Sequence, residues 1–217
     1  IMSIKQCCNF HDFRRLAKKR LPGPIFNYID GAAEDEVTYR RNTRSFDDCD
    51  LVPNVLAGVG HIDTSVTVMG QKLDVPFYCS PTALQRLFHY HGERAVAAAS
   101  ENYGTMFGVS SLGTVSLREV RKHQNPQVYQ FYFHKDRGLN KAMMEEAKDA
   151  GVDVMMLTVD SITGGNRERD LRTGFSIPLK LNLSGILQFV IKPVWGFNYL
   201  THEKFKLPQL DNHLDMG

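Results

Sequence analysis

The chain has 217 residues, 42% of them hydrophobic and 23% charged, enough for one or two domains with a sizeable core and too apolar for a disordered chain. Its 26 basic and 24 acidic residues leave a net charge of +2, which argues against the basic face of a dedicated nucleic-acid binder. No apolar run approaches the roughly 18 residues of a spanning helix, the N-terminus lacks a signal-peptide core, and four cysteines without CxxC spacing (Cys7, Cys8, Cys49, Cys79) read as reduced thiols of a cytoplasmic α/β protein.

Residues 1–65 read as a helical preamble. Phe10, Phe13, Leu16 and Ala17 recur at helical spacing, and Lys18, Lys19 and Arg20 close the helix where cations complement its dipole. A second helix starts near Pro24 and runs to Gly31, with proline in its first turn. A third is expected from Glu34 to about Phe46. Residues 66–75 suit a small hairpin turning at Met69-Gly70, placed to plug one end of a larger core.

From residue 76 to 160 the pattern alternates strand and helix. PFYCS, TMFGVS, QVYQFY and VDVMMLTVD read as four strands starting near 77, 106, 127 and 154, the last as one buried on both faces. Between them lie expected helices at Gly92–Tyr103, built on Ala95, Val96, Ala98 and Ala99, at VSLREVRKH, and at Arg137–Ala150. The spacing suits βα units with right-handed crossovers. A (β/α)8 barrel takes about 250 residues and eight strands; four strands make the N-terminal half of one. After Asp160 the rhythm stops, and residues 161–217 read as a loop insert and a loose tail.

Polar groups cluster at the C-terminal ends of the expected strands, where parallel α/β folds build their sites. These are Pro81, Thr82 and Ala83, then Ser110 and Ser111, then Gln130 and Tyr132, then Thr158 and Asp160. Small neutral donors and acceptors in this order suit the edge of a flat heteroaromatic cofactor. By residue type alone, Tyr28 reads as an amphipathic core residue and Arg167 as a solvated loop cation, whereas Tyr132 suits packing and a site equally and Asp160 suits either a cap of the following segment or a site. His89 and His91 read as loop residues, since no ligand cluster accompanies them.

The strings FNYIDGAAEDE, SPTALQ, QFYFHKDRG and LTVDS…GNRERD together resemble the FMN-dependent L-2-hydroxy acid oxidising family, which includes glycolate oxidase, L-lactate dehydrogenase and mandelate dehydrogenase. The likeness runs from about Asp12 to Asp170, and GNRERDL most resembles the lactate and mandelate dehydrogenase branch. The resemblance implies oxidation of an L-2-hydroxy acid to the 2-oxo acid with FMN as cofactor. Pro81, Thr82, Ala83, Ser110, Gln130 and Thr158 would contact the flavin. Tyr28, Tyr132 and Arg167 would bind the substrate, with Arg167 clamping its carboxylate, and Asp160 would pair with the catalytic histidine. Leu112 would shape substrate choice, if it is not simply core.

In the family the second half of the barrel supplies that histidine, a lysine beside the flavin, a second substrate arginine and the phosphate site. None of the eight histidines here lies in a matching motif. The reading is therefore an N-terminal half, inactive alone, whose partner is a complementary C-terminal half, tetrameric when complete. The alternatives are a non-catalytic flavin-binding or scaffold subunit, and a barrel using another phosphate-bearing cofactor. Residues 175–200 mix apolar and aromatic side chains with Lys180 and Lys192. They suit peripheral contact with the inner face of the plasma membrane or a loop packed over the site.

Overall fold

The computed structural model describes residues 3–161, 163–175 and 191–211, which form two units. The first unit comprises residues 1–60 and 163–201; the second comprises residues 61–162 and 202–217.

The first unit is helical. Helix α1 (Phe10–Arg20) is opened by Asn9, whose side chain accepts from the Asp12 amide at 3.0 Å, while Asp12 accepts from Cys8 N–H at 3.0 Å. One first-turn amide of the helix and the amide of the residue before its cap are thereby satisfied. Its buried residues are Asp12 and Leu16; Phe10 and Phe13, expected to face a core, are exposed. Local capping chemistry at Asp12 orients this helix against its apolar stripe. Helix α2 (Gly23–Asp30) carries Pro24 in its first turn and buries Ile25 and Phe26. Helix α3 (Val37–Asp47) follows, with no buried residue.

The second unit holds a three-stranded parallel sheet and an antiparallel hairpin. The hairpin pairs β1 (Val66–Val68) with β2 (Gln71–Leu73). Both turn residues take positive φ, Met69 at 50° and Gly70 at 76°, as a primed hairpin turn demands. The sheet contains β3 (Phe107–Ser110), β4 (Gln127–Tyr132) and β5 (Val154–Thr158), in that order.

The expected first strand is reduced to a single parallel bridge, Cys79 to Phe107. Cys79 N–H donates to Met106 O and Gly108 N–H to Cys79 O, at 3.1 and 2.8 Å. Pro76 and Pro81 bracket the run, and each lacks the amide a longer ladder needs.

Alternation divides the sheet into two faces. Phe107, Val109, Tyr129 and Phe131 point toward the helices and form one core with Ala97, Val115, Leu117, Val120, Leu139, Met143 and Ala147. On the other face Met106 and Val128 pack with Leu73, Val154 and Met156, so the hairpin closes the N-terminal end of that face. Each fully buried large side chain contributes about 1.5–3 kcal/mol.

The helices are α4 (Gln85–Phe88), α5 (Glu93–Asn102), α6 (Leu117–Val120) and α7 (Arg137–Asp149). Helix α7 buries Leu139, Met143 and Ala147, as its periodicity predicts. Helix α6 is shorter than expected. Helix α5 turns differently from the expectation: Glu93, Ala97 and Ser100 are buried, whereas Ala95 and Ala99 are exposed. Alanine on every side of α5 leaves its rotation to Glu93, whose carboxylate accepts from the Thr114 amide and hydroxyl, both at 2.7 Å. Strand β5 is not buried on both faces either. Met155 and Leu157, opposite Tyr129 and Phe131 in register, are exposed, because no described helix covers that part of the sheet.

Residues 161–174 were expected to be loop, yet helix α8 (Glu168–Thr173) forms there in the first unit. Helix α9 (Pro193–Thr201) lies in the same unit and buries Trp195. Most of the aperiodic stretch, residues 176–190, lies outside the described residues. The tail is not wholly loose: α10 (Pro208–Asp211) buries Gln209, which donates to Val115 O at 2.8 Å.

Candidate functional site

In the second unit, the C-terminal ends of β3, β4 and β5 carry a connected polar row. Gln130 accepts from Ser110 Oγ at 3.3 Å and from the Ser111 amide at 3.4 Å, and its Nε2 donates to Thr158 Oγ1 at 2.8 Å. Parallel register brings these groups together: Ser110 faces Gln130, and Tyr132 faces Thr158. Ser111 Oγ is buried with no hydrogen-bond partner among the described residues.

Beside this row, Pro81 crosses close over Gly108. A Cβ at position 108 would lie 2.7 Å from Pro81 Cδ and 2.8 Å from its nitrogen. Thr82 Oγ1 accepts from Gln85 Nε2 at 2.8 Å. Immediately after Ala83, the buried Leu84 holds a left-handed φ of 61°, a conformation costly for a branched side chain and one that concentrates at functional sites. Its amide donates to Leu112 O at 3.1 Å. Asp160 lies two residues beyond β5 and is exposed. The Tyr90 ring stacks on His89 and His202, and His91 lies tilted against it.

The first unit brings Tyr28 and Arg167 together. The Arg167 guanidinium carbon lies 5.1 Å from the Tyr28 ring centroid, one of its nitrogens donates to Tyr28 O, and Nε donates to Asp170 at 2.6 Å. Arg167 is therefore not a solvated loop cation.

Sequence reasoning missed the ion-pair network behind this pair. Arg14 forms a two-pronged bridge to Asp30, at 2.5 and 2.9 Å, and Arg169 binds Asp30 at 2.9 Å and Glu36 at 2.6 Å. Burial pushes the Asp30 carboxyl up, but the hydrogen bonds and charge of Arg14 and Arg169 outweigh it and hold the group below its ordinary value. Glu36 also accepts from the Ala32 amide at 3.0 Å. The acidic string DGAAEDE and the basic string NRERD are thus partners in space. Their opposite charge was visible in the sequence; no spacing rule could connect residues so far apart in the chain.

The family model for FMN-dependent dehydrogenases matches residues 17–216. The chain belongs to the FMN-dependent dehydrogenase family. Its relatives include an L-lactate oxidase of Nostoc sp., 38% identical over 85% of this chain and 52% of that protein. An L-lactate dehydrogenase of Alcaligenes faecalis is 36% identical over 86% of this chain and 49% of its own length. Among solved structures, a monotopic membrane protein, (S)-mandelate dehydrogenase, superposes with a TM-score of 0.87 at 27% identity, covering 94% of this chain and 54% of that one. The chain spans about half the length of the curated relatives it matches.

Membership of the FMN-dependent dehydrogenase family makes FMN the expected cofactor, and the residues present fit its ring. The polar row is neutral and mixes donors with acceptors. The orphaned Ser111 hydroxyl leaves a buried hydrogen-bonding group for a ligand to satisfy.

Proposed function

We propose that this chain supplies the flavin-ring and substrate-carboxylate residues for FMN-dependent oxidation of an L-2-hydroxy acid to its 2-oxo acid. The observation that carries the reading is the Ser110–Gln130–Thr158 row at the strand ends, in a chain of this family. Bound FMN would accept the reducing equivalents of the hydroxy acid. Pro81, Thr82, Ala83, Ser110, Gln130 and Thr158 hold its ring in this reading. Arg167 binds the substrate carboxylate through its planar fork, and Tyr28 and Tyr132 orient the substrate through their hydroxyls. Asp160 orients and stabilises the protonated form of a histidine base supplied from outside the described residues.

A complementary segment of the family fold completes the site in this reading, with the exposed Met155 and Leu157 of β5 among the surfaces it covers. Mixing the chain with that half and FMN, then assaying lactate- and mandelate-dependent dye reduction, tests the proposal. Turnover that falls at least tenfold in Arg167→Met supports it. A flavin-loaded complex without turnover overturns it in favour of a flavin-binding scaffold.

We infer further that the segment containing α9 contacts the membrane peripherally. No helix of the described residues is long and apolar enough to cross a bilayer. Helix α9 exposes Val194, Phe197 and Leu200 at helical spacing beside an exposed Ile191, an apolar surface suited to the interface. Mandelate dehydrogenase, its structural neighbour, is described as monotopic.

A further inference from the structure

Helix α8 has six residues, and both of its ends reach the same ring. At its N-terminal end, Arg167 lies over Tyr28. At its C-terminal end, Gly174 adopts a left-handed conformation, φ 66°, and the chain reverses through two hydrogen bonds: Gly174 N–H to Leu171 O at 3.3 Å and Phe175 N–H to Asp170 O at 3.0 Å. This is the glycine-terminated helix cap, in which the residue after glycine is folded back along the helix. Folding back delivers Phe175 onto Tyr28, ring centroids 4.4 Å apart and planes 17° from parallel.

Asp170 ties the two ends together. Its carboxylate accepts from Arg167 Nε, and its backbone carbonyl accepts from the Phe175 amide. The Tyr28 ring is thus held both by a guanidinium and by an aromatic ring, each carried on one short helix. An offset aromatic stack stabilises the ring pair beyond the area it buries, and a partly desolvated cation–π contact adds to that attraction.

We propose that Phe175 is a positioning residue that preassembles Tyr28 and Arg167 as one carboxylate-binding unit. The proposal rests on the reading of those two residues as substrate groups and adds the element that fixes their mutual geometry. Without the stacked ring, Tyr28 loses one of the contacts that fix its ring, and the surface beneath Arg167 is held less firmly. Substrate binding then bears the cost of ordering both.

Three variants separate ring from backbone. Phe175→Leu removes the aromatic face and Phe175→Trp keeps one. Gly174→Ala adds a Cβ that meets nothing within 4 Å, yet strains the left-handed turn that folds Phe175 back. NMR of the 217-residue chain, with the Tyr28 ring and Arg167 Nε–H signals identified by their loss in Tyr28→Phe and Arg167→Lys, reads the assembly without activity. The Tyr28 ring-current shift and the sharp Arg167 Nε–H signal should be lost in Phe175→Leu and Gly174→Ala and kept in Phe175→Trp. In the reconstituted enzyme, Phe175→Leu should raise KM for the hydroxy acid about three- to tenfold with a smaller change in kcat, and Phe175→Trp should restore it.

An Arg167 signal indifferent to Phe175→Leu overturns the proposal, as does an unchanged KM. If the wild-type complex shows no turnover, the functional reading fails, and the Arg167 and Tyr28 signals decide this proposal by themselves.

Discussion

Gly108 and Pro81 approach so closely that position 108 has no room for a Cβ. The proline ring lies where a side chain at 108 would begin, so the segment carrying Thr82 and Ala83 can lie against β3 only over a glycine. Gly108→Ala should therefore lift that segment, lowering stability by about 1–3 kcal/mol in urea unfolding and weakening riboflavin binding by the chain. Unchanged riboflavin affinity would separate the Pro81–Ala83 turn from the flavin.

The Asp30 network makes the first unit sensitive to acid. The folded-state pKa of Asp30 lies below the ordinary 3.8, so its stabilisation is fully present above that value and is lost as pH falls through the lower folded pKa. Asp30→Asn should cost about 2 kcal/mol near neutrality, an intermediate figure because the Asp30 side chain is largely shielded while that of Arg14 is partly exposed. The gap in melting temperature from wild type should be constant between pH 5 and 8 and shrink below about pH 4. A gap independent of pH down to about 2 would exclude the ion pairs as its source.

Glu93 is fully buried and serves as acceptor for both Thr114 groups. Removing it in Glu93→Ala leaves a buried amide and hydroxyl without their acceptor, at a cost of about 2–4 kcal/mol. Glu93→Gln retains one acceptor oxygen and should recover part of that loss. Denaturant midpoints of the two variants check the order; equal midpoints would contradict it.

The polar row presents no cation to a phosphate. The 217-residue chain should therefore bind FMN and riboflavin with affinities within about threefold of one another, both weaker than micromolar, because a phosphate without compensating donors adds little. Fluorescence titration of both flavins checks this. FMN bound tenfold or more tightly than riboflavin would reveal a phosphate cradle within the chain.

Replacing the exposed apolar residues of α9 by Phe197→Glu and Leu200→Glu should abolish sedimentation of the chain with anionic phosphatidylglycerol vesicles at low salt. Each charge both removes apolar area and repels the surface. Both side chains are exposed, so stability should change by less than about 0.5 kcal/mol. Sedimentation equal to wild type would assign this surface to protein packing.

The strands beginning at 107, 127 and 154 were legible because each is a short run rich in apolar and aromatic residues bounded by turn residues, and α7 because Leu139, Met143 and Ala147 keep helical spacing. Faces were harder to read. Met155 and Leu157 look like buried residues in any window, since burial depends on what lies above β5 rather than on the strand itself. Ala95 and Ala97 are identical in kind, and only the Glu93–Thr114 contact across 21 residues tells them apart. The polar strand ends were visible one by one, and their connection through Gln130 required the register. The Arg169 pairs with Asp30 and Glu36 bridge more than 130 residues, a distance at which charge patterns carry no positional information.

Helix α8 also acts as a ruler. Arg167 and Phe175 meet on Tyr28 only because a fixed number of residues, each rising about 1.5 Å and turning about 100°, separates them before the glycine reversal. One residue inserted or deleted between Glu168 and Thr173 would swing one end away from the ring, whatever the composition of the helix. Length between Arg167 and Phe175 should thus be immutable in functional variants, with substitutions tolerated at exposed Leu171 and Arg172. A library of single-codon insertions across this stretch would trace the constraint as a gap whose edges fall at Arg167 and Phe175.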